Sequence, residues 1–240
     1  MLHDVSASRR ALSGAMLALI PVLASFPPAP AQAQSALPPD GCEAFLSVQF
    51  KGCLAALYWR CEAAPEGITW ESSHDEDGPI STGTYDADFQ WLDRYWFSSG
   101  IRERLVNPGP DPAEMSRLLE DGEDRYEFTT LESGDMPSRQ LTYIGVDRLT
   151  GETVEIDGER LLVTDFAAIS LDAETGEELY SSHGTQYVLP EERLFFYGTE
   201  TWSQDGSTET SDNSPVDILR PGDKGFGNVK PLYGCGAVEL

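Results

Sequence analysis

Lysine and histidine are scarce in this 240-residue chain. Lys51, Lys224 and Lys230 are its only lysines, and two of its three histidines, His74 and His183, lie beyond the N-terminal stretch. All basic residues together number 16 against 41 acidic ones, a formal net charge of -25. That balance argues against nucleic acid or an anionic membrane surface as a partner, because holding phosphates requires Lys and Arg to displace their counterions. The chain also lacks G-x-S-x-G and H-E-x-x-H, the signatures of a serine hydrolase and a zinc protease. No C-x2-C spacing is present for zinc, and no D-x-D-x-D-G loop for calcium. Gly222 to Gly227 is glycine-rich but matches neither nucleotide loop, so it reads as a turn. These absences imply no cofactor and no metal.

No apolar run is long enough for a transmembrane helix, and the longest, Ala11 to Ser25, is interrupted by Pro21. Arg9-Arg10 precedes it and Ala31-Gln32-Ala33 follows, so residues 1–33 read as a secretory signal cleaved before Gln34. Ser8 to Leu12 partly matches a twin-arginine export signal. Residues 34–41 then form a short linker, and 42–240 a single β-rich domain. Export to the periplasm or the outside makes disulfides the default reading of Cys42, Cys53, Cys61 and Cys235.

Glu43 to Cys61 reads as a hairpin turning at Lys51-Gly52. Its facing pairs are Phe50:Cys53, Val48:Ala55, Leu46:Leu57, Ala44:Trp59 and Cys42:Cys61. All lie on one apolar face, and the end cysteines fall opposite one another within bridging distance. Cys53 is left for Cys235. A helix would place three cysteines on one face as well, but Gly52 would cost it about 1 kcal/mol.

Gly83 to Ser98 alternates as one long half-buried strand. Tyr85, Ala87, Phe89, Trp91, Tyr95 and Phe97 share a face that Asp93 interrupts, with Arg94 on the other face. Asp111-Pro112-Ala113-Glu114 is a helix start and Asp121-Gly122 a stop, which gives one short helix over about 112–120.

From Ser138 to Trp202 the pattern is a meander of antiparallel strands. D-x-x-T-G-E occurs at Asp147 and again at Asp172, and each copy reads as a hairpin turn. Asp157-Gly158 marks another. With these turns Asp147 faces Glu152, Glu155 faces Arg160, and Asp172 faces Glu177. One apolar face then collects Leu141, Tyr143, Val154, Ile156, Leu161, Val163, Ala167, Ile169, Leu171, Tyr180 and Val188. The fold expected is mostly β, a single antiparallel meander that forms a barrel or a strongly curved sheet, stapled by disulfides. Ser203 to Ser214 reads as a flexible loop.

Catalytic constellations are few. His183 falls opposite Phe166 and away from Asp165, which excludes a dyad of the two, and it reads as a partly exposed sheet residue. His74 lies in an acidic, solvated turn. Asp121 to Asp124 reads as surface acidity. Asp93 and Asp165 stand out because each interrupts an apolar face, where an ionised carboxylate needs a partner. They either pair with arginines or line a cavity. Val163-Thr164-Asp165-Phe166 resembles the T-D-Y segment of lipocalins over four residues. The glycine-x-tryptophan signature of that family is missing, since Gly67-Ile-Thr-Trp70 has one residue too many, and no family is assigned.

The expected function is therefore a non-enzymatic exported domain that binds or carries a small or apolar ligand. Tyr85, Phe89, Trp91, Asp93, Tyr95, Phe97 and Asp165 would line its interior. A structural or adaptor module whose acidic face docks a basic protein partner is the second possibility. A hydrolase working through Asp93 and Asp165 is the third.

Overall fold

The computed structural model describes residues 38–236, so the expected leader and its cleavage site lie outside the described residues. Those described belong to one compact unit. They form thirteen strands and one helix: β1 (Cys42–Phe50), β2 (Leu54–Cys61), β3 (Thr69–Asp75), β4 (Gly78–Tyr85), β5 (Trp91–Trp96), β6 (Arg102–Asp111), α1 (Met115–Asp121), β7 (Glu123–Ser133), β8 (Arg139–Ile156), β9 (Glu159–Asp172), β10 (Glu178–Leu189), β11 (Leu194–Gln204), β12 (Ser207–Asp212) and β13 (Pro215–Leu219). The strands make one antiparallel sheet in the order β12 to β1 and then β13. It is a meander throughout, except that the last strand pairs with the first.

No ladder joins the edge strands β12 and β13, so the sheet is open and strongly curved. Its two edges are nonetheless only Asn213 and Ser214 apart along the chain. Asn213 N donates to Gly198 O on β11, and Lys51 N at the end of β1 donates to Ser214 O. Side chains also meet across the curve. Leu46, Val48 and Phe50 of β1, Tyr58 of β2 and Ile218 of β13 pack with Leu161, Leu189 and Phe196 of β9 to β11. Strands that far apart in the sheet share a core because bulges and twist bend the sheet back on itself.

The first hairpin carries both bridges expected of it, Cys42–Cys61 and Cys53–Cys235. Its register is as expected at Cys42↔Cys61 and Ala44↔Trp59, but then slips to Leu46↔Tyr58 and Phe50↔Leu54 at a bulge beside Phe45. The turn takes three residues rather than two, since Cys53 sits in it at φ 57 and Cys53 N donates to Tyr233 O. A three-residue loop of this kind forces the one-residue offset. Leu57 and Trp59 consequently face outward, where Val229 covers them. Gln49 ties the same C-terminal segment down through Asn228 O at 2.9 Å and Leu232 N at 3.0 Å. Both faces of β1 and β2 are thus buried.

Three further expectations are corrected. Gly83 to Ser98 is not one strand but the hairpin β4–β5, which closes as Tyr85↔Trp91 around Phe89 at φ 62. The D-x-x-T-G-E at Asp147 is a bulge inside β8 and not a turn, because β8 keeps pairing with β7 through Arg148↔Glu123 and with β9 on both sides of the interruption. The turns at Asp157-Gly158 and Asp172 form as expected, with Glu155↔Arg160 in register and Asp172 N donating to Glu177 O. The bulge puts two more residues on β8 than on β9, and because β8 does not turn back at Asp147, Tyr143 shares a face with Ser170 and Ala168 rather than with Ile169 and Leu171. Finally, Ser203 to Asp212 is no loose loop. It is the β11–β12 hairpin, turned at Asp205-Gly206 and laced by Thr201–Thr210 and Ser203–Thr208 hydroxyl bonds.

The helix starts at Met115, three residues later than expected, and stops at Gly122 in the left-handed region as expected. Glu114 caps it without a side-chain hydrogen bond. Its first N–H groups are held from elsewhere: Glu114 N donates to Asp124 Oδ2 and Ser116 N to Asp88 Oδ1. The helix therefore forms where the sheet supplies its cap, and Met115 and Leu118 are buried against Val188.

Candidate functional site: an aromatic cavity with a carboxylate pair

The registers of β7 to β11 build one wall. Residues that face each other across adjacent strands form rows, and three rows point the same way: Asp124, Asp147, Phe166, Gly184 and Glu200; Tyr126, Gly145, Ala168, Ser182 and Trp202; and Phe128, Tyr143, Ser170 and Tyr180. This wall bounds a cavity of about 230 Å³, which Tyr58, Glu71, Tyr85, Phe89, Trp91 and Arg94 close from β2 to β5, and Met115 and Leu118 from α1. Aromatic rings dominate the lining. Phe128 stacks on Tyr143 at 5.3 Å, and Trp91 meets both at 6.0 and 5.4 Å. Trp91 remains 37% exposed, so this cluster runs from the interior to solvent. Gly145 is required beneath Tyr126, because a Cβ there would stand 2.2 Å from the ring.

Two ionic centres sit in this apolar setting. At one, Asp124 and Asp147 are direct cross-strand partners, 3% and 8% exposed. Asp124 Oδ2 accepts from Glu114 N at 2.8 Å. Its Oδ1 lies 3.3 Å from an Arg117 nitrogen, a contact without hydrogen-bond geometry, so this buried oxygen has no hydrogen-bond donor among the described residues. Burial raises Asp124 to about 6. Burial and the facing Asp124 raise Asp147 to about 7. Both effects disfavour the ionised form.

At the other centre Arg94 meets Glu71 at 3.7 Å and donates to the Tyr85 hydroxyl. Glu71 accepts from Tyr85 and Ser73, each at 2.7 Å, and is 4% exposed. Arg94 also lies 5.2 Å from the Trp96 ring. This centre is neutral overall and internally satisfied, which suits a structural anchor better than a binding group.

Of the residues expected to line the interior, Tyr85, Phe89 and Trp91 do so, whereas Asp93, Tyr95, Phe97 and Asp165 do not. The bulge between Trp91 and Asp93 reverses parity, so Arg94 points inward and Asp93 outward. There Asp93 pairs with Arg102 through two bonds of 3.0 and 2.9 Å. Tyr95 and Phe97 contact each other outside, and Phe97 is 45% exposed. Asp165 is exposed on the outer face opposite Arg148. A hydrolase built on Asp93 and Asp165 has no common site. His183 pairs with Ala167 rather than Phe166 and is exposed on that outer face too. His74 is not solvated: it is buried in β3, 3.1 Å from Ser72 Oγ, and burial lowers its pKa.

The carboxylate pair was missed, although a signal existed. In Asp124-Arg-Tyr126-Glu-Phe128 an acid heads an alternating aromatic face, the same pattern that drew attention to Asp93.

No family model matches the sequence, and no curated protein does. The hypothetical lipoprotein YmcC from Escherichia coli (K12) superposes with a TM-score of 0.42 at 14% identity, over 74% of this chain and 88% of that chain. A likeness that weak carries no functional inference. Among the described residues no helix is long and apolar enough to cross a membrane.

Proposed function

We propose that this chain is an exported, non-enzymatic binding protein that carries a small ligand with an apolar or aromatic body inside its curved sheet. One observation carries the reading: a cavity of about 230 Å³ walled by aromatic rings contains a buried carboxylate pair that is incompletely satisfied. Packed cores seldom keep voids much larger than a water molecule, and they seldom leave buried polar atoms unpaired. Ligand sites are concave, mostly apolar and furnished with a few polar groups. In this reading the sheet works as a barrel in all but its missing ladder, with Trp91 at the entrance. Both disulfides and the N-terminal signal pattern support export to an oxidising compartment, periplasmic or extracellular.

Native mass spectrometry of the protein exported with its own leader tests this reading. A small-molecule adduct that survives gentle ionisation and is lost on unfolding is the expected result. A clean apo protein, together with no thermal shift across a panel of small aromatic compounds, would overturn it.

A hydrolase using Asp124 and Asp147 is the second reading, because two facing buried carboxylates that hold a proton towards neutrality can exchange it with a substrate. Turnover of any ester, amide or glycoside that is lost in Asp147→Asn would favour it over simple binding.

A further inference from the structure

The cavity is short of positive charge, and the deficit has an address. Glu71 has Arg94, Asp88 has Arg193, and Glu114 and Asp124 share Arg117. Glu200 accepts from the Tyr180 hydroxyl at 2.7 Å. Asp147, 8% exposed and part of the lining, has neither a hydrogen bond nor an ion pair among the described residues. A buried carboxylate left in this condition is costly to the fold unless something outside the chain completes it.

We infer that the cavity receives a small organic ammonium ion, whose cationic head meets Asp147 and whose apolar body lies among Tyr126, Phe128, Tyr143 and Phe166. The proposal rests on the binding-protein reading and names the chemistry of its ligand. Aromatic faces attract ammonium groups through their quadrupoles, most strongly where water is excluded. An inorganic cation fits poorly, since calcium takes six to eight oxygen ligands and this part of the wall offers two carboxylates among rings. An anionic ligand would meet Asp147 with no cation paired to it among the described residues. The titratable groups facing Asp147 are Asp124 and Tyr126 from β7, with Asp111 of β6, the cap residue Glu114 and Arg117 of α1 behind Asp124. From β9 it meets only Phe166. A proton on the pair competes with the ammonium, so binding should weaken as the solution is acidified through the range where the pair protonates.

Calorimetry on the full disulfide-bonded protein compares benzylamine, a cation throughout this range, with benzyl alcohol as its neutral counterpart. Benzylamine should bind at about pH 8 and lose about tenfold or more at about pH 5, the factor for one charge-assisted hydrogen bond. Asp147→Asn should cause a similar loss at about pH 8, whereas benzyl alcohol should respond to neither change. Removing an unpaired buried charge does not threaten folding. If the variant fails nonetheless, the pH comparison on the unaltered protein decides. Equal binding of both probes, or amine binding indifferent to pH and to Asp147→Asn, overturns the ammonium inference and leaves the carrier reading standing. Binding of neither probe overturns both.

Discussion

Replacing Asp147 by asparagine should stabilise the protein at neutral and alkaline pH and leave its acid stability almost unchanged. In the fold, burial and the facing Asp124 raise this carboxyl from 3.8 to about 7. The unfolded chain therefore loses the proton near the ordinary carboxylate value, while the folded chain keeps it until neutrality. Folding takes up a proton between those limits, so stability falls as the pH rises through the window and levels off above it. Roughly three pH units at about 1.4 kcal/mol each give a penalty of at most about 4 kcal/mol, reduced by whatever water enters the cavity. Asp124, raised to about 6 chiefly by burial, acts in the same direction, and the two steps belong to the pair rather than to either residue. Other carboxylates do not obscure the effect. Asp212, despite burial that pushes it up, is held at about 2 by Lys51 and Ser214, and its contribution fades only in more acidic solution. Urea unfolding followed by tryptophan fluorescence should show the wild-type protein weakening between about pH 4.5 and pH 8, with Asp147→Asn flatter and more stable by about 2–4 kcal/mol at the alkaline end. A variant less stable than wild type at about pH 8, or a flat wild-type profile, would refute the reasoning.

Arg94→Met leaves Glu71 buried without its cation and should cost about 3–5 kcal/mol in urea unfolding, most of which Glu71→Gln in the same chain should restore. Gly145→Val places its branch against the Tyr126 ring, so it should cost about 1–3 kcal/mol and weaken any cavity ligand in the same calorimetric titration. Opening Cys53–Cys235 by a double serine replacement removes a cross-link spanning 182 residues, and thermal melts should report a loss of about 2–5 kcal/mol.

What the sequence showed plainly was whatever depends on local chemistry. Asp157-Gly158 and the Asp172 turn form because an Asx side chain and a left-handed glycine suffice to reverse the chain, and Asp172 Oδ1 indeed accepts from Glu174 N and Thr175 N. Cys42–Cys61 followed from the hairpin whose ends it joins, and Cys53–Cys235 from the two cysteines left over. The same D-x-x-T-G-E signal misled at Asp147, because β9 pairs with β8 on both sides of it and turns the would-be loop into a bulge. Irregularities of this kind decided the site. The offset after Trp91 turned Asp93 out and Arg94 in, and the continuation of β8 through Asp147 brought Tyr143 and Asp147 to the cavity while leaving Asp165 outside. Parity is invisible in a strand's own sequence once a neighbour can insert or absorb a residue. Ligand and partner have no such local chemistry to be read from.

The placement of the reinforcing features fits a protein that tolerates an unfavourable charge for a purpose. Both disulfides and the strap from Asn228 to Cys235 reinforce the doubly covered strands β1 and β2, whereas Asp147 lies on β8. Over the cavity the wall is a single layer, with Ile144, Asp165, Ala167 and His183 exposed behind it. Local rules are broken on this thin side: a carboxylate lacks a partner, a glycine lies beneath an aromatic ring, and α1 is capped by residues of distant segments. Consistent sequences violate such rules mainly where function demands it. If Asp147 served only the fold, uncharged side chains of similar size would do better there. Its presence against a penalty of up to about 4 kcal/mol from burial and repulsion is intelligible if a cation arrives to complete it.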